Sequence, residues 1–354
     1  MERDQPEHQA TETPSLIGDW SLNDKAILIT GGTGSFGKAM VAAIVDRWRP
    51  RRLVIFSRDE MKQYEMEQRF PVARYPFLRY FIGDVRSLQR LEMAMRDIDY
   101  VVHAAALKHV PIAEYNPFEC IQTNIIGAEN VVRAALHARV QRVIALSTDK
   151  AVSPINLYGA SKLAAEKVFV AANNLSGPLP TRFGIVRYGN VLGSRGSVLP
   201  LFRRLITEGV QALPITDPRM TRFWITLPQG VAFVLGGLAR MTGGEIFVPR
   251  IPSMRVVDLA RVMAPHLPVT VVGIRPGEKL HEVLITDSEA PHTFVDRTFG
   301  HYVVEPSFRG WEPAAPEHGT ALLDPVPEGF SYTSDHNDQW LGDAVLRRVL
   351  NEEQ

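Results

Sequence analysis

The sequence predicts an α/β fold, a doubly wound parallel sheet joined to a smaller, discontinuous C-terminal domain. Three observations predict it. Short apolar runs alternate with helix-length amphipathic stretches from residue 25 to 188, the first run ends in a glycine-rich turn, and beyond 188 this rhythm breaks into short, Gly- and Pro-punctuated pieces. Residues 25–30 (KAILIT) are too short and too apolar for a surface helix and read as a buried first strand. A helix follows over 37–48, then a second strand over 52–56 (RLVIF) and a third over 79–82. A helix over 88–95 leads to a fourth strand at 100–104, and a long helix over 118–138 to a fifth at 142–147 (RVIALS). An amphipathic helix over 158–173 precedes a sixth strand at 181–187. Strands that alternate with helices form a parallel sheet with both faces covered. Residues 223–241 and 245–249 return to that sheet as a helix and a strand, so the first domain comprises 21–188 and 224–249. The second, 189–223 and 250–345, lies over the carboxyl ends of the strands, where open α/β sheets bind ligands. Residues 309–330, rich in Pro, Glu and Gly, read as loop, and residues 1–20 as a disordered tail with little to bury. No internal repeat is visible.

Composition narrows the function classes. At 354 residues, 45% hydrophobic and 22% charged, the chain has ordinary globular values. Lys plus Arg equals Asp plus Glu at 39 each, which gives no nucleic-acid or membrane footprint. The apolar runs are too short to span a bilayer, and no apolar signal segment opens the chain. The single cysteine, Cys120, reads as a buried small residue, and the expected compartment is the cytoplasm. Only eight of the 39 Lys and Arg residues are lysine. Lysine can act as a base and arginine cannot. This singles out Lys150 and Lys162, and to a lesser degree Lys108.

The turn after the first strand reads Thr30-Gly31-Gly32-Thr33-Gly34-Ser35-Phe36-Gly37. Glycines here allow a tight turn and let backbone N–H groups approach a pyrophosphate at a helix N-terminus. In the first βα unit this is a dinucleotide site made of Gly31, Thr33, Gly34, Ser35, Phe36 and Gly37. NAD sites usually carry an acid at the end of the second strand, for the ribose hydroxyls. Here the strand ends Phe56-Ser57-Arg58-Asp59. Ser57 and Arg58, with Lys62 one turn on, suit a 2′-phosphate and favour NADP. The other reading makes Ser57 and Glu60 a helix capping box with Arg58 merely solvated. Asp84 and Val85 after the third strand can meet adenine, unless Asp84 only caps a helix. Ala104, Ala105 and Ala106 after the fourth strand let the cofactor lie close.

Tyr158 and Lys162 form a Tyr-x-x-x-Lys motif at a helix start, and a spacing of four puts both on one face. A nearby ammonium favours the phenolate, so the tyrosine can take a proton from a sugar hydroxyl as hydride leaves. The fifth strand ends Ser147-Thr148-Asp149-Lys150. Polar groups at the end of a buried strand are costly unless they serve a site. An acid and a base beside a redox pair indicate chemistry after oxidation. A ketone at carbon 4 acidifies the carbon-5 hydrogen, Lys150 removes it, and Asp149 protonates the departing carbon-6 hydroxyl. Hydride return to carbon 6 then makes the net reaction loss of water. The alternative is an Asp149–Lys150 ion pair that only holds the loop.

With these residues in place, the chain from about 24 to 340 resembles the inverting UDP-N-acetylglucosamine 4,6-dehydratases of the pseudaminic acid pathway, within the extended short-chain dehydrogenase/reductases. The stretches ITGGTGSFG, FSRDEMKQYEM, HAAALKHVPIAEYNPFECIQTNI, ALSTDKAVSPINLYGASK, VRYGNVLGSRGSVLP, ITDPRMTRFWIT and IRPGEKLHE carry the likeness. It implies a Rossmann-like NADP-binding domain and a hydro-lyase that converts UDP-N-acetylglucosamine to UDP-2-acetamido-2,6-dideoxy-β-L-arabino-hex-4-ulose. It implies Lys150 as the principal acid/base, with Thr148, Asp149, Tyr158 and Lys162 completing the catalytic set. Lys108 is implied where substrate and nicotinamide meet. Asn190, Ser197, Val198, Arg222, Arg275 and Glu278 are implied as contacts of the UDP-sugar, the arginines on its phosphates. It also implies a homo-oligomer, a hexamer among its forms. His281 and Glu282 lack a third ligand, so no metal is expected. The tail before Leu22, the divergent 309–330 segment and the loosely matching Ser334-Asp335-His336-Asn337 depart from the family. Alternatives within the same chemistry are retaining 4,6-dehydration, 5,6-dehydration and 4-epimerisation. A non-catalytic NADP-binding regulator would not need Tyr158, Lys162, Asp149 and Lys150 intact.

Overall fold

A computed structural model describes residues 17–194, 196–314 and 322–352. Strand and helix alternate as expected through β1 (Ala26–Thr30), α1 (Ser35–Arg47), β2 (Arg52–Ser57), α2 (Glu60–Arg69), β3 (Leu78–Ile82), α3 (Leu88–Ala94) and β4 (Tyr100–His103). Two short helices, α4 (Val110–Tyr115) and α5 (Pro117–Ile121), lead to α6 (Gly127–His137), β5 (Arg142–Thr148), α7 (Leu157–Leu175) and β6 (Arg182–Tyr188). The shorter elements are β7 (Asn190–Val191), α8 (Val198–Thr207), β8 (Leu213–Ile215), β9 (Thr221–Ile225), α9 (Leu227–Arg240), β10 (Ile246–Val248), β11 (Ser253–Arg255) and α10 (Val256–Met263). They continue as β12 (Val269–Val271), β13 (Val283–Ile285), β14 (Thr293–Asp296), β15 (His301–Val304), β16 (Leu323–Pro325), β17 (Tyr332–Thr333) and α11 (Asp343–Glu352).

The main sheet runs β3-β2-β1-β4-β5-β6-β10, all parallel, so the strand order reverses between β1 and β4. Every residue of β1 is buried, as a strand with a helix layer on each face requires. This main core is separate from a second one, built by Leu199, Phe202, Leu213, Trp224, Met254 and Leu259, which gives the C-terminal part a lobe of its own. The candidate site lies between the two, at the carboxyl ends of the strands.

Several expectations are corrected. The long helix over 118–138 is interrupted by a π-helical turn at Gln122–Ile126 between α5 and α6. Residues 223–225 belong to β9, and the helix starts only at Leu227, where Thr226 and Gln229 form a capping box and Pro228 fits the first turn. The span 250–345 is not wholly in the smaller lobe. β14, β15 and β16 extend the main sheet antiparallel from β10, and β16 lies inside the stretch read as loop. Residues 1–16 of the expected tail and 315–321 of the expected loop lie outside the described residues. Residues 17–20 are not tail, because Ile17 and Trp20 are buried and the Trp20 ring meets Trp48 and Tyr100.

Candidate active site

The glycine turn after β1 is built as its sequence demands. Gly31 has φ +65°, and a side chain there would meet the Ala105 backbone at 2.9 Å. A Cβ on Gly37 would collide with the Gly32 carbonyl. Gly34 is the N-cap of α1 and supplies no side-chain cap, so the first-turn N–H groups face outward without one. The donor set therefore fits a pyrophosphate. Thr33 and Ser57 join their hydroxyls at 2.7 Å, tying this turn to the end of β2, and Ser35 and Phe36 open α1. On the other side, Thr30 Oγ1 accepts from the Ala104 and Ala105 N–H groups, and Ala106 continues that strip of small residues.

At the end of β2 the capping-box alternative does not hold. Asp59, not Ser57, caps α2 by accepting from the Lys62 N–H. The Lys62 ammonium is also committed to Asp59. Arg58 stays open, with its side chain 55% exposed and Nη1 3.6 Å from Asp84. Asp84 does not cap α3, which Ser87 does. Asp84 instead accepts a forked pair from Arg86. Burial raises its pKa, but Arg86 and Arg58 outweigh this and hold the carboxyl below the ordinary range. Val85 is buried and its carbonyl accepts from Asn130.

The acid–base group is assembled where β5 runs into a single 3₁₀ turn. Thr148 Oγ1 donates to Asp149 Oδ1 at 2.9 Å, and Lys150 Nζ donates to the same oxygen at 2.9 Å. Nζ also donates to Asn190 Oδ1 at 3.1 Å and lies 3.3 Å from Glu282 Oε1. The Asp149 and Glu282 side chains are 0% and 3% exposed, whereas Lys150 keeps 27%. Burial disfavours the ammonium, but Asp149 and Glu282 overcome it and raise the Lys150 pKa above the ordinary lysine value. The resting lysine is thus a cation, and the ion pair weighed from the sequence is real.

Tyr158 and Lys162 are both buried on the first turns of α7, where Asn156 caps the helix. Burial pushes Tyr158 up to about 12, with Lys150 and the Thr148 hydroxyl pulling against it. Lys150 is thus an ammonium that favours the phenolate, a partner the sequence reading did not name beside Lys162. Lys162 donates to the Leu146 carbonyl, and burial lowers its pKa to about 8 against the raising effect of Glu166.

The remaining expected residues are spread around this centre. Lys108 is exposed just beyond β4. Ser197 is the N-cap of α8, and its Oγ is buried with no hydrogen-bond partner among the described residues. Val198 follows it. Arg275 is exposed, and Glu278 accepts from its N–H. Arg222 is the exception: it is 5% exposed and donates to the carbonyls of Thr221, Lys279 and Leu280, with Glu278 and Glu282 3.7 Å away. Its guanidinium is spent inside the lobe, and the open arginine is Arg275.

Two residues escaped the sequence reading. Asn124, in the π turn, accepts from the Leu107 N–H and donates to the Leu107 carbonyl and Ser161 Oγ, which pins the loop that carries Lys108. Glu282 was weighed only as a metal ligand. Its signal was position, in the same Arg-Pro-Gly-Glu-Lys-Leu-His-Glu run as Arg275 and Glu278.

Residues 27–302 match the model of a family described as polysaccharide biosynthesis protein. The chain belongs to this family. Within this polysaccharide biosynthesis family it is 53% identical, over 93% of its length and 98% of the other, to a Campylobacter jejuni protein named UDP-N-acetylglucosamine 4,6-dehydratase (inverting). Among solved structures, Pen from Bacillus thuringiensis superposes with TM-score 0.83 at 36% identity, covering 94% of this chain and 99% of that one. The dTDP-glucose 4,6-dehydratase DesIV of Streptomyces venezuelae, solved with NAD bound, superposes with TM-score 0.62 at 25% identity, covering 72% and 86%. The expected Rossmann-type fold is borne out by these structures and by the sheet itself.

Proposed function

We propose that this protein is an inverting UDP-N-acetylglucosamine 4,6-dehydratase, a hydro-lyase that returns its NADP unchanged. The observation that carries the reading is Lys150, held against a buried Asp149 at the mouth of the cleft beside Tyr158. Its 53% identity to the Campylobacter jejuni protein of that name supports the substrate. NADP rather than NAD is favoured by Arg58, the open cation at the end of β2, with Ser57 beside it. Lys62 contributes less, because Asp59 holds it.

When bound, the nicotinamide would supply the hydride chemistry between carbon 4 and carbon 6. Tyr158, as the phenolate that Lys150 and Thr148 favour, takes the proton of the carbon-4 hydroxyl and becomes the phenol. Lys150 must then become a neutral base and Asp149 a neutral acid. One proton moving 2.9 Å from Nζ to Asp149 Oδ1 achieves both. The amine removes the carbon-5 proton and becomes ammonium, while Asp149 protonates the leaving carbon-6 hydroxyl and becomes carboxylate. The elimination thus restores the resting ion pair and draws no proton from bulk water. Carbon 5 then takes a proton from solvent on the opposite face, and Tyr158 gives up to solvent the one it took, which closes the balance. Lys108, Asn190, Ser197, Val198, Arg275 and Glu278 are the proposed contacts of the UDP-sugar, with Arg222 bracing the loop that carries Glu278.

Among the described residues, no helix is long and apolar enough to cross a membrane. We place the enzyme in the cytoplasm as a homo-oligomer. The buried free Cys120 fits a reducing compartment, and Tyr115 and Phe118, 87% and 80% exposed on α4 and α5, fit a surface that a second copy covers. Incubation with UDP-N-acetylglucosamine followed by NMR tests the activity. A 4-keto-6-deoxy product of L-arabino configuration is expected. Recovery of UDP-N-acetylgalactosamine alone would make the protein an epimerase, and a product with carbon 5 retained would overturn the inversion.

A further inference from the structure

Lys150 has more partners than the elimination uses. Its ammonium can donate three hydrogen bonds, and three acceptors surround it: Asp149 Oδ1, Asn190 Oδ1 and Glu282 Oε1. Asp149 follows the end of β5, and Asn190 opens β7 two residues beyond the neighbouring β6. Glu282 comes from the other lobe, just before β13, and its N–H is fixed by Ser334 Oγ at 2.9 Å. The carboxylate is almost fully buried, and Oε2 has no hydrogen-bond partner among the described residues. A buried carboxylate with one oxygen unpaired is costly unless a cation compensates it. The cations within 4 Å among the described residues are Lys150 and, at 3.7 Å, Arg222. The loop leading to Glu282 is fastened to the catalytic segment at two further points. Asn156 donates to the Gly277 carbonyl at 2.8 Å, and Lys279 Nζ to the Val152 carbonyl.

We propose that Glu282 is a positioning residue for Lys150, delivered by the C-terminal lobe to hold Nζ at the cleft and to keep its proton there until the sugar is bound. The assignment rests on the dehydratase reading for its purpose, but not for its test. Once Asp149 has taken a proton from Nζ, Glu282 Oε1 stays beside the neutral amine, 3.3 Å away in the resting state, and Arg222 carries its charge. The lysine therefore keeps its place while its proton moves. The charged and titratable groups facing Lys150 are Asp149, Glu282, Arg222, Lys279 and the Tyr158 hydroxyl. Loss of Glu282 leaves one carboxylate against two neighbouring cations.

The test is competitive labelling of Lys150 with acetic anhydride across alkaline pH, read by peptide mass spectrometry on the whole protein without substrate. An opposite charge at this distance is worth at least about one pKa unit. In Glu282→Gln, Lys150 is expected to label about tenfold or more faster than in the wild type below its titration midpoint. In Glu282→Asp, which keeps the charge, labelling is expected to stay near the wild-type rate. The wild-type profile is a second check that needs no variant, with a Lys150 midpoint expected above the ordinary 10.5. Equal labelling of E282Q and wild type, with both folded by thermal melting, overturns the proposal. So does a wild-type midpoint at or below 10.5. Either result leaves the NMR assay of the wild type untouched, so failure here is distinct from failure of the dehydratase reading.

Discussion

Lys150 and Tyr158 act on one another, and each step of the reaction turns on a proton that one of them must give up. Tyr158 is a buried phenol on which the Lys150 ammonium acts, and Lys150 is a lysine kept charged by carboxylates. Oxidation at carbon 4 needs the phenol to give up its proton, which the ammonium favours. Elimination needs the ammonium itself to give one up. The two steps therefore call for opposite states of Lys150, and substitutions separate them. Lys150→Ala is expected to lose about 10²–10⁴-fold in kcat. Arginine keeps the cation on Tyr158 but cannot serve as the base, so Lys150→Arg is expected to stop after oxidation and to accumulate reduced nicotinamide in a single turnover. Tyr158→Phe, lacking the hydroxyl, is expected to show neither product nor reduced cofactor. Accumulation of reduced cofactor in Y158F would move the first base elsewhere. At the other end of the cleft, Arg58→Ala is expected to raise the KM for NADP by roughly tenfold or more, because a hydrogen-bonded charge is worth about 1.5–3 kcal/mol. The KM for NAD should stay nearly constant. Lys62→Ala should do less, since Asp59 already claims that ammonium. Equal effects of R58A on both cofactors would argue against a 2′-phosphate contact.

Among the elements, the turns between strand and helix carry the site, and the legibility of each depended on what its residues bury. Strands β1, β2, β4, β5 and β6 were readable because both faces are covered and their residues are apolar runs. Helix α2 was not read, because Glu60–Arg69 is polar around most of its circumference and buries only Gln63 and Met66. The π turn was invisible for a different reason. Residues 118–138 are compatible with continuous helix, and the extra residue per turn appears only because Asn124 reaches the Leu107 backbone and Ser161. β14 to β16 are three or four residues long, too short for periodicity to register. The site followed the same division. Contiguous motifs such as Thr148–Lys150 and Tyr158–Lys162 were legible, whereas the pairing of Lys150 with Glu282 spans two lobes and exists only in the fold. The glycine turn is the element where local rule and tertiary packing agree most closely, so it gives a sharp expectation. Gly31→Ala places a side chain at φ +65° and drives it into Ala105. The left-handed conformation alone costs about 1–2 kcal/mol. A lower melting temperature and weakened dinucleotide binding by calorimetry are expected. Unchanged binding would show that the turn can open without loss of the site.

Across the whole molecule, a buried charge cluster ties the segment that follows Glu282 to the main sheet and its core. Arg187, in β6, is 2% exposed and forks onto Glu166 of α7 at 3.1 and 2.7 Å. It also donates to the Leu284 carbonyl of β13 and to Glu289 in the 3₁₀ turn that follows. One guanidinium thus joins the helix bearing Tyr158 and Lys162 to the strand that follows Glu282. Burial works against the Glu289 carboxylate, but Arg187 and the Thr286 hydrogen bonds outweigh it and hold the pKa below the ordinary 4.5. A carboxyl depressed on folding stabilises the native state above its unfolded pKa, and this contribution disappears as pH falls through the folded value. The stabilising effect of Glu289 should therefore be complete near neutrality and fade below about pH 4.5. Glu289→Gln is expected to melt below the wild type at neutral pH and to approach it as pH drops, because the variant has nothing left to titrate there. A constant gap between the two melting curves across that range would mean that Glu289 acts by packing rather than charge. Arg187→Met, which strands Glu166 in the core, is expected to cost about 3–5 kcal/mol at neutral pH by denaturant titration. If that variant lost little stability but much of its kcat, the cluster would serve to align the segment after Glu282 with the site more than to hold the fold together.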